Sequence, residues 1–209
     1  NDGTLLGNFK EAGARVVGIE PSKAYEVATK VGIETINKYF NKASANEIIN
    51  KYGKASIVTA ANVFAHIPDP HEVIENISTL LEEDGVFISE SHYLLSLIET
   101  IQYDTIYHEH LRYYHLDSLR ILFERHNFEI FDCQRIPTHG GSIRVYASKT
   151  GKFKIKNSVK QTLIEEKNKG LINGKLLDDF RDRVINTKLS LYSLIKKIKT
   201  EERLLILKT

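Results

Sequence analysis

Residues 55–60 read Ala55-Ser56-Ile57-Val58-Thr59-Ala60, and residues 86–90 read Val86-Phe87-Ile88-Ser89-Glu90. Between them, Asp69-Pro70 opens a helical pattern that reaches Leu81, and Asp84-Gly85 marks a turn. Two short runs with strand-forming residues joined by one helix predict a strand–helix–strand unit. The same alternation extends upstream. Leu5, Leu6, Phe9 and Ala12 have helical spacing closed by Gly13, and Arg15-Val16-Val17-Gly18-Ile19-Glu20 predicts a strand. Pro21-Ser22 starts a helix that runs to about Val31, and Gly32-Ile33-Glu34-Thr35-Ile36 is a further strand. A helix around residues 47–51 completes the series. Alternating strands and helices imply an α/β fold, with a mostly parallel sheet covered on both faces.

Downstream the pattern changes. Ser118 to Arg125 reads as a helix, then Phe128-Glu129-Ile130-Phe131-Asp132 and Ser142-Ile143-Arg144-Val145-Tyr146-Ala147 read as strands. The Pro-Thr-His-Gly-Gly connection predicts that these two strands pair as an antiparallel hairpin. An alternating sheet that ends in a hairpin is unusual for a dinucleotide dehydrogenase, and no Gly-x-Gly-x-x-Gly fingerprint is present. From Asn157 onward, Leu163, Lys167, Leu176, Phe180, Val184, Leu191 and Ile195 trace a long amphipathic helix.

The richest chemistry lies in Tyr107-His108-Glu109-His110. Histidine exchanges protons near neutral pH, a neighbouring carboxylate orients the ring, and tyrosine is a suitable donor to an oxyanion. His-x-His also admits a metal site. In an extended segment, however, Glu109 would point away from both histidines, and no further His or Cys follows at ligand spacing. Proton transfer therefore ranks above metal binding, and metal binding above chance clustering among eight histidines.

Composition narrows the function classes. The 209 residues fit one sizeable domain, with or without an appendage. A net charge of +2 gives no strong field for nucleic acid, and the lysines after Lys149 alternate with apolar residues or lie on helical faces. The single Cys133 excludes an intramolecular disulfide framework and fits a cytoplasmic location. No apolar run suits a membrane span. The chain contains no Met, starts at Asn1 and ends at Leu204-Leu205-Ile206-Leu207-Lys208-Thr209, so it reads as the middle of a longer protein.

In open α/β sheets, ligands bind beyond the carboxyl ends of the strands. Three features are placed there by the strand pattern. Asn1-Asp2-Gly3-Thr4 precedes the first helix, Glu20 ends a strand where a carboxylate can take ribose hydroxyls, and Asn62 to His66 follows the 55–60 strand. An acidic residue at a strand end is also a common helix N-terminal charge.

These residues resemble the S-adenosylmethionine-dependent sugar C-methyltransferases of deoxysugar biosynthesis. Asn1-Asp2-Gly3-Thr4-Leu5-Leu6 is similar to the family's first cofactor motif and Val17-Gly18-Ile19-Glu20-Pro21-Ser22 to its second. Asn62-Val63-Phe64-Ala65-His66-Ile67 resembles the motif after the following strand. Asp104-Thr105-Ile106-Tyr107-His108-Glu109-His110, with Tyr113, resembles the catalytic loop, and His139-Gly140-Gly141-Ser142-Ile143-Arg144-Val145-Tyr146 the segment opening the last strand. The resemblance implies a Rossmann-like class I methyltransferase sheet with an antiparallel last strand. It also implies a first strand and a zinc domain upstream of Asn1, and an α/β domain beyond Thr209. The expected organisation is a methyltransferase domain over 1–150, lacking that first strand, and a helical arm over 151–209 leading to the next domain.

It further implies S-adenosylmethionine as cofactor, held by Asn1, Asp2, Gly3, Thr4, Leu5, Glu20, Pro21 and Asn62. A nucleotide-linked keto sugar would be the substrate, with His139, Ser142 and Arg144 as contacts. His110 would remove the proton beside the keto group, Glu109 would tune the loop, and Tyr107 and His66 would stabilise the enolate oxygen. His108 is expected to be structural. The rival expectations are an O- or N-methyltransferase of small molecules and a non-catalytic module on the same scaffold.

Overall fold

The computed structural model describes residues 2–200; Asn1 and the strand expected to begin near Leu204 lie outside the described residues. Its elements, in order, are α1 (Thr4–Glu11), β1 (Gly18–Ile19), α2 (Ala24–Lys30), β2 (Thr35–Ile36), α3 (Lys42–Tyr52), β3 (Ala55–Ala61), α4 (Pro70–Leu80) and β4 (Leu81–His92). They continue with α5 (Leu94–Glu99), α6 (Leu116–Glu124), β5 (Phe128–Ile136), β6 (Ser142–Lys149), α7 (Asn157–Asn168) and α8 (Lys175–Thr200). β1 and β2 form a parallel pair, and the other strands form a sheet of order β3-β4-β6-β5. β6 is antiparallel to both neighbours, as the hairpin reading expected.

The chain divides into two compact units. One contains the chain up to Val58 with Asp69–Val86; the other contains Thr59–Pro68 and the chain from Phe87 onward.

In the first unit, Gly3 stands at the N-cap of α1 with φ of 88°. A side chain there would press on Ala28 and Ile33, both buried, so glycine meets a backbone and a packing requirement together. Asp69 caps α4 by accepting bonds from the backbone N–H groups of His71 and Glu72, with Pro70 in the first turn. α4 buries Ile74, Ile77 and Leu80.

In the second unit, Phe64, Phe87 and Phe123 meet with ring centroids 5.6–6.3 Å apart, all fully buried. Val145, Ala147, Leu116, Leu119 and Phe128 extend this core. α7 packs on β5 and α6, and α8 contacts α5. Deep in the unit, the fully buried carboxylate of Glu166 on α7 accepts hydrogen bonds from the Tyr93 hydroxyl (2.8 Å), His115 Nδ1 (3.0 Å) and the backbone N–H groups of Leu116 (2.6 Å) and Asp117 (3.1 Å). It thus satisfies the open N-terminus of α6 from a helix about fifty residues away in sequence.

Three local expectations need correction. Asp84-Gly85 does not break the chain: β4 runs continuously from Leu81 to His92. Gly85 permits this because a side chain there would strike Leu81 and the Ala55 carbonyl. The long helix after Asn157 is two helices, interrupted where Gly170 and Gly174 adopt positive φ. Residues 107–109 form a turn rather than an extended segment, closed by the His110 N–H on the Tyr107 carbonyl. α5 carried no expectation. Among the described residues, no helix is long and apolar enough to cross a membrane.

Candidate active site

The second unit gathers imidazoles from three places in the chain. His66 ends a short 3-10 turn (Phe64–His66) after β3, His92 ends β4, and His110 follows the 107–109 turn. Asn62 makes the first placement possible. It leaves β3 with φ of 54°, a region asparagine tolerates better than most residues, while its N–H is held by the Glu90 carbonyl at 2.8 Å. The Leu111 N–H then bonds the Ala65 carbonyl at 2.9 Å, and Arg112 donates to the carbonyls of Ile67 (2.6 Å) and Pro68 (2.8 Å). These bonds clamp the two loops together. The His66 and His110 ring centroids lie 5.1 Å apart, and those of His92 and His110 lie 6.5 Å apart.

Each ring is oriented by an oxygen. His66 Nδ1 meets the Glu109 carbonyl at 2.9 Å, and His110 Nδ1 meets the Thr105 carbonyl at 3.2 Å. A carbonyl only accepts, so both nitrogens carry hydrogen, and each neutral ring presents a bare Nε2. The Tyr107 hydroxyl stands 3.5 Å from His110 Nε2, at the outer limit of hydrogen bonding, with the ring centroids 4.6 Å apart. Tyr113 donates to the same Thr105 carbonyl at 3.1 Å, and burial pushes its hydroxyl pKa up, so it remains a donor at neutral pH. Glu109 reaches His66 through its backbone carbonyl while the residue itself is exposed.

The residues expected to touch substrate lie on one hairpin. His139 adopts φ of 53° in a 3-10 turn (Thr138–Gly140), and Ser142 is fully buried with its hydroxyl donating to the Thr138 carbonyl at 3.2 Å. Arg144 sits directly opposite Glu90 in the β4–β6 register, and its Nε and Nη2 both bond Glu90 Oε2, at 3.1 and 2.8 Å. Thr138 donates to the other Glu90 oxygen at 3.3 Å.

The residues expected to hold a cofactor, apart from Asn1 and Asn62, belong to the first unit. Asp2 accepts the Thr4 N–H at 3.0 Å, and that bond holds its carboxyl below the usual range. Glu20 follows β1, accepts the Ser22 N–H at 2.8 Å on Oε1, and has its carbonyl bound by Asn37 at 2.9 Å. Thr4, Leu5 and Pro21 are exposed.

Sequence reading missed His92, Gln102, Glu90 and Glu166. Extending the strand alternation two residues past Glu90 would have put His92 on the same face as Glu90. Gln102 and Glu166 carry no local signal, since their partners are distant in sequence.

Known proteins resemble this chain in sequence and in fold. It is 40% identical over 173 residues to the C-methyltransferase NovU of Streptomyces niveus, which covers 82% of this chain. The chain spans about two fifths of that relative's length (41%). Among solved structures, magnesium protoporphyrin IX methyltransferase of Synechocystis, bound to SAH, aligns with a TM-score of 0.55 at 15% identity, over 71% of this chain and 70% of that one. A SAM-dependent methyltransferase of Anabaena variabilis aligns with a TM-score of 0.54 at 16% identity, over 70% and 73%. At such identities these two show the fold, a class I methyltransferase α/β sheet. Residues 137–206 match the C-methyltransferase C-terminal domain family. Residues 1–132 match the Methyltransferase domain family, and the chain belongs to it.

Proposed function

We propose that the protein transfers a methyl group from S-adenosylmethionine to a carbon beside the keto group of a nucleotide-linked deoxysugar. The observation that carries the reading is His110. Its Nδ1 is committed to the Thr105 carbonyl, its Nε2 is bare, and a tyrosine hydroxyl and a second imidazole stand beside it. Likeness to a C-methyltransferase supports carbon as the acceptor.

Carbon beside a carbonyl becomes a nucleophile only when its proton is removed. His110 Nε2 takes that proton, and the Thr105 carbonyl keeps the ring oriented as the imidazolium forms. Tyr107 donates to the developing enolate oxygen, and His66, whose Nδ1–H is tied to the Glu109 carbonyl, would support that oxygen only as the imidazolium, when its Nε2 also carries hydrogen. Glu109 positions His66 through its backbone. His139, Ser142 and Arg144 frame the sugar nucleotide, Ser142 by shaping the hairpin from within. S-adenosylmethionine, when bound, supplies an electrophilic methyl group. The donor set in the first unit suits it: the Glu20 carboxylate follows a strand end, as ribose hydroxyls require, and Asp2, Gly3, Thr4, Leu5 and Pro21 border the same helix starts. Asn1 lies outside the described residues.

The test is incubation with a nucleotide-linked keto deoxysugar in D2O. Exchange of the C–H beside the keto group without methyl donor, and a C-methylated product with it, support the reading. A product methylated on oxygen or nitrogen overturns it.

A further inference from the structure

His92 is the imidazole that the proposed chemistry leaves unused, and its surroundings determine its tautomer. The Gln102 side-chain nitrogen donates to the Gly140 carbonyl at 2.8 Å and also bonds Thr100 Oγ1. A carbonyl cannot donate, so the amide nitrogen must face Gly140 and the amide oxygen must face away. That oxygen lies 3.1 Å from His92 Nε2, which therefore carries hydrogen. The amide has little freedom to turn. The Gln102 main chain that carries it is anchored, its backbone carbonyl accepting from the Thr105 N–H (3.2 Å) and Thr105 Oγ1 (2.8 Å) and its backbone N–H donating to the Leu97 carbonyl at 3.0 Å. Gly140, at φ of 76°, lies so close that a side chain there would overlap the amide itself.

The consequence falls on the other nitrogen. In the neutral ring Nδ1 is bare, and among the described residues it has no hydrogen-bond partner. His92 is half-buried, and burial, with the neighbouring His110 and His139, holds its pKa below the usual imidazole range. The His92 and His110 rings are neighbours, with centroids 6.5 Å apart and planes tilted by 60°, so His92 borders the proposed base. An uncharged acceptor in that position favours an alcohol over a phosphate or carboxylate, both of which need a donor.

We propose that His92 is a substrate-binding residue, held by Gln102 as the Nε2–H tautomer so that Nδ1 accepts a hydroxyl hydrogen from a sugar ring. Gln102 is then a positioning residue that acts through His92. The identity of the ligand rests on the sugar-nucleotide reading above; the tautomer does not.

The experiment is long-range 1H–15N NMR of the labelled protein at pH 7, with the His92 signals assigned by their loss in His92→Phe. The expected pattern is protonated Nε2 and bare Nδ1 in the parent, and loss of that preference in Gln102→Leu. Titration with thymidine diphosphate glucose, which retains its ring hydroxyls, should move the Nδ1 resonance upfield, and His92→Phe should bind it about 5-fold more weakly. A protonated Nδ1 in the parent, or an Nδ1 resonance unmoved at millimolar nucleotide sugar, overturns the proposal. Methyl transfer is assayed separately, so the two readings fail separately. A moving His92 in a protein that methylates oxygen would sink only the carbon chemistry, and an unmoved His92 in an active carbon methylator would sink only this inference.

Discussion

His110 Nδ1 lies 3.2 Å from the Thr105 carbonyl, and Tyr113 donates to that same oxygen at 3.1 Å. One backbone oxygen thus orients the proposed base and a tyrosine that stays protonated. This arrangement sets the tautomer of His110 without any side chain being dedicated to the task, and the first prediction follows from it.

His110→Asn keeps a polar group on the loop but has no bare ring nitrogen. Methyl transfer should fall by about 100-fold or more, the usual contribution of a general base. Circular dichroism should remain that of the parent. Activity within tenfold of the parent would exclude His110 as the base.

Tyr113→Phe removes one of the two donors on the Thr105 carbonyl but leaves the His110 bond. We expect stability to drop by about 0.5–1.5 kcal/mol in urea titrations, with KM little changed. A large loss of methyl transfer with unaltered stability would instead place the Tyr113 hydroxyl on substrate.

Glu166 titrates against stability in acid. Burial works against its charge, yet bonds from His115, the Leu116 and Asp117 backbone and Tyr93 hold its carboxyl below the ordinary value of 4.5. A group whose pKa is depressed on folding stabilises the fold above its unfolded pKa, and that contribution is lost as pH falls through the folded value. The parent should therefore lose stability as pH drops below about 4.5. Glu166→Gln presents an amide N–H2 to donors and should be destabilised by about 2–4 kcal/mol at pH 7. Its stability should also be flatter below pH 4.5, as urea midpoints measured across pH will show.

Gly141→Ala tests the hairpin that carries His139 and Arg144. Gly141 has φ of 124°, and a side chain there would run into Ser96. The substitution should lower the thermal midpoint by several degrees, equivalent to more than about 1 kcal/mol. A neutral result would mean that the turn has another conformation in solution.

Arg144→Met leaves the largely buried Glu90 carboxylate with Thr138 as its remaining side-chain donor among the described residues. A loss of about 1–3 kcal/mol is expected, partly offset by the exposure of the arginine. Arg144→Lys should recover only part of it, since two nitrogens of the guanidinium reach one carboxylate oxygen.

The alternation of strand and helix was legible because periods of two and 3.6 are written in neighbouring residues. β3, α4 and the β5–β6 hairpin all follow from local patterning. Asp84-Gly85 misled because turn residues were weighed without the sheet that surrounds them, in which Gly85 must be small. The 107–109 segment misled because a backbone bond between His110 and Tyr107 leaves no side-chain signature.

By itself the sequence determined which groups were available: the proton-transfer residues of Tyr107 to His110, the glycines of the hairpin turn, the carboxylate at Glu20, and the family to which they point. The tertiary structure alone decided which of these groups meet, and in what protonation pattern. His66, His92 and His110 converge although twenty-six and eighteen residues separate successive members. Two of their orienting partners are backbone carbonyls, and the third is a glutamine whose amide is fixed by Gly140. A carbonyl is the same at every position of a chain, so only the folded path of the backbone determines which imidazole it orients and which nitrogen is left to act.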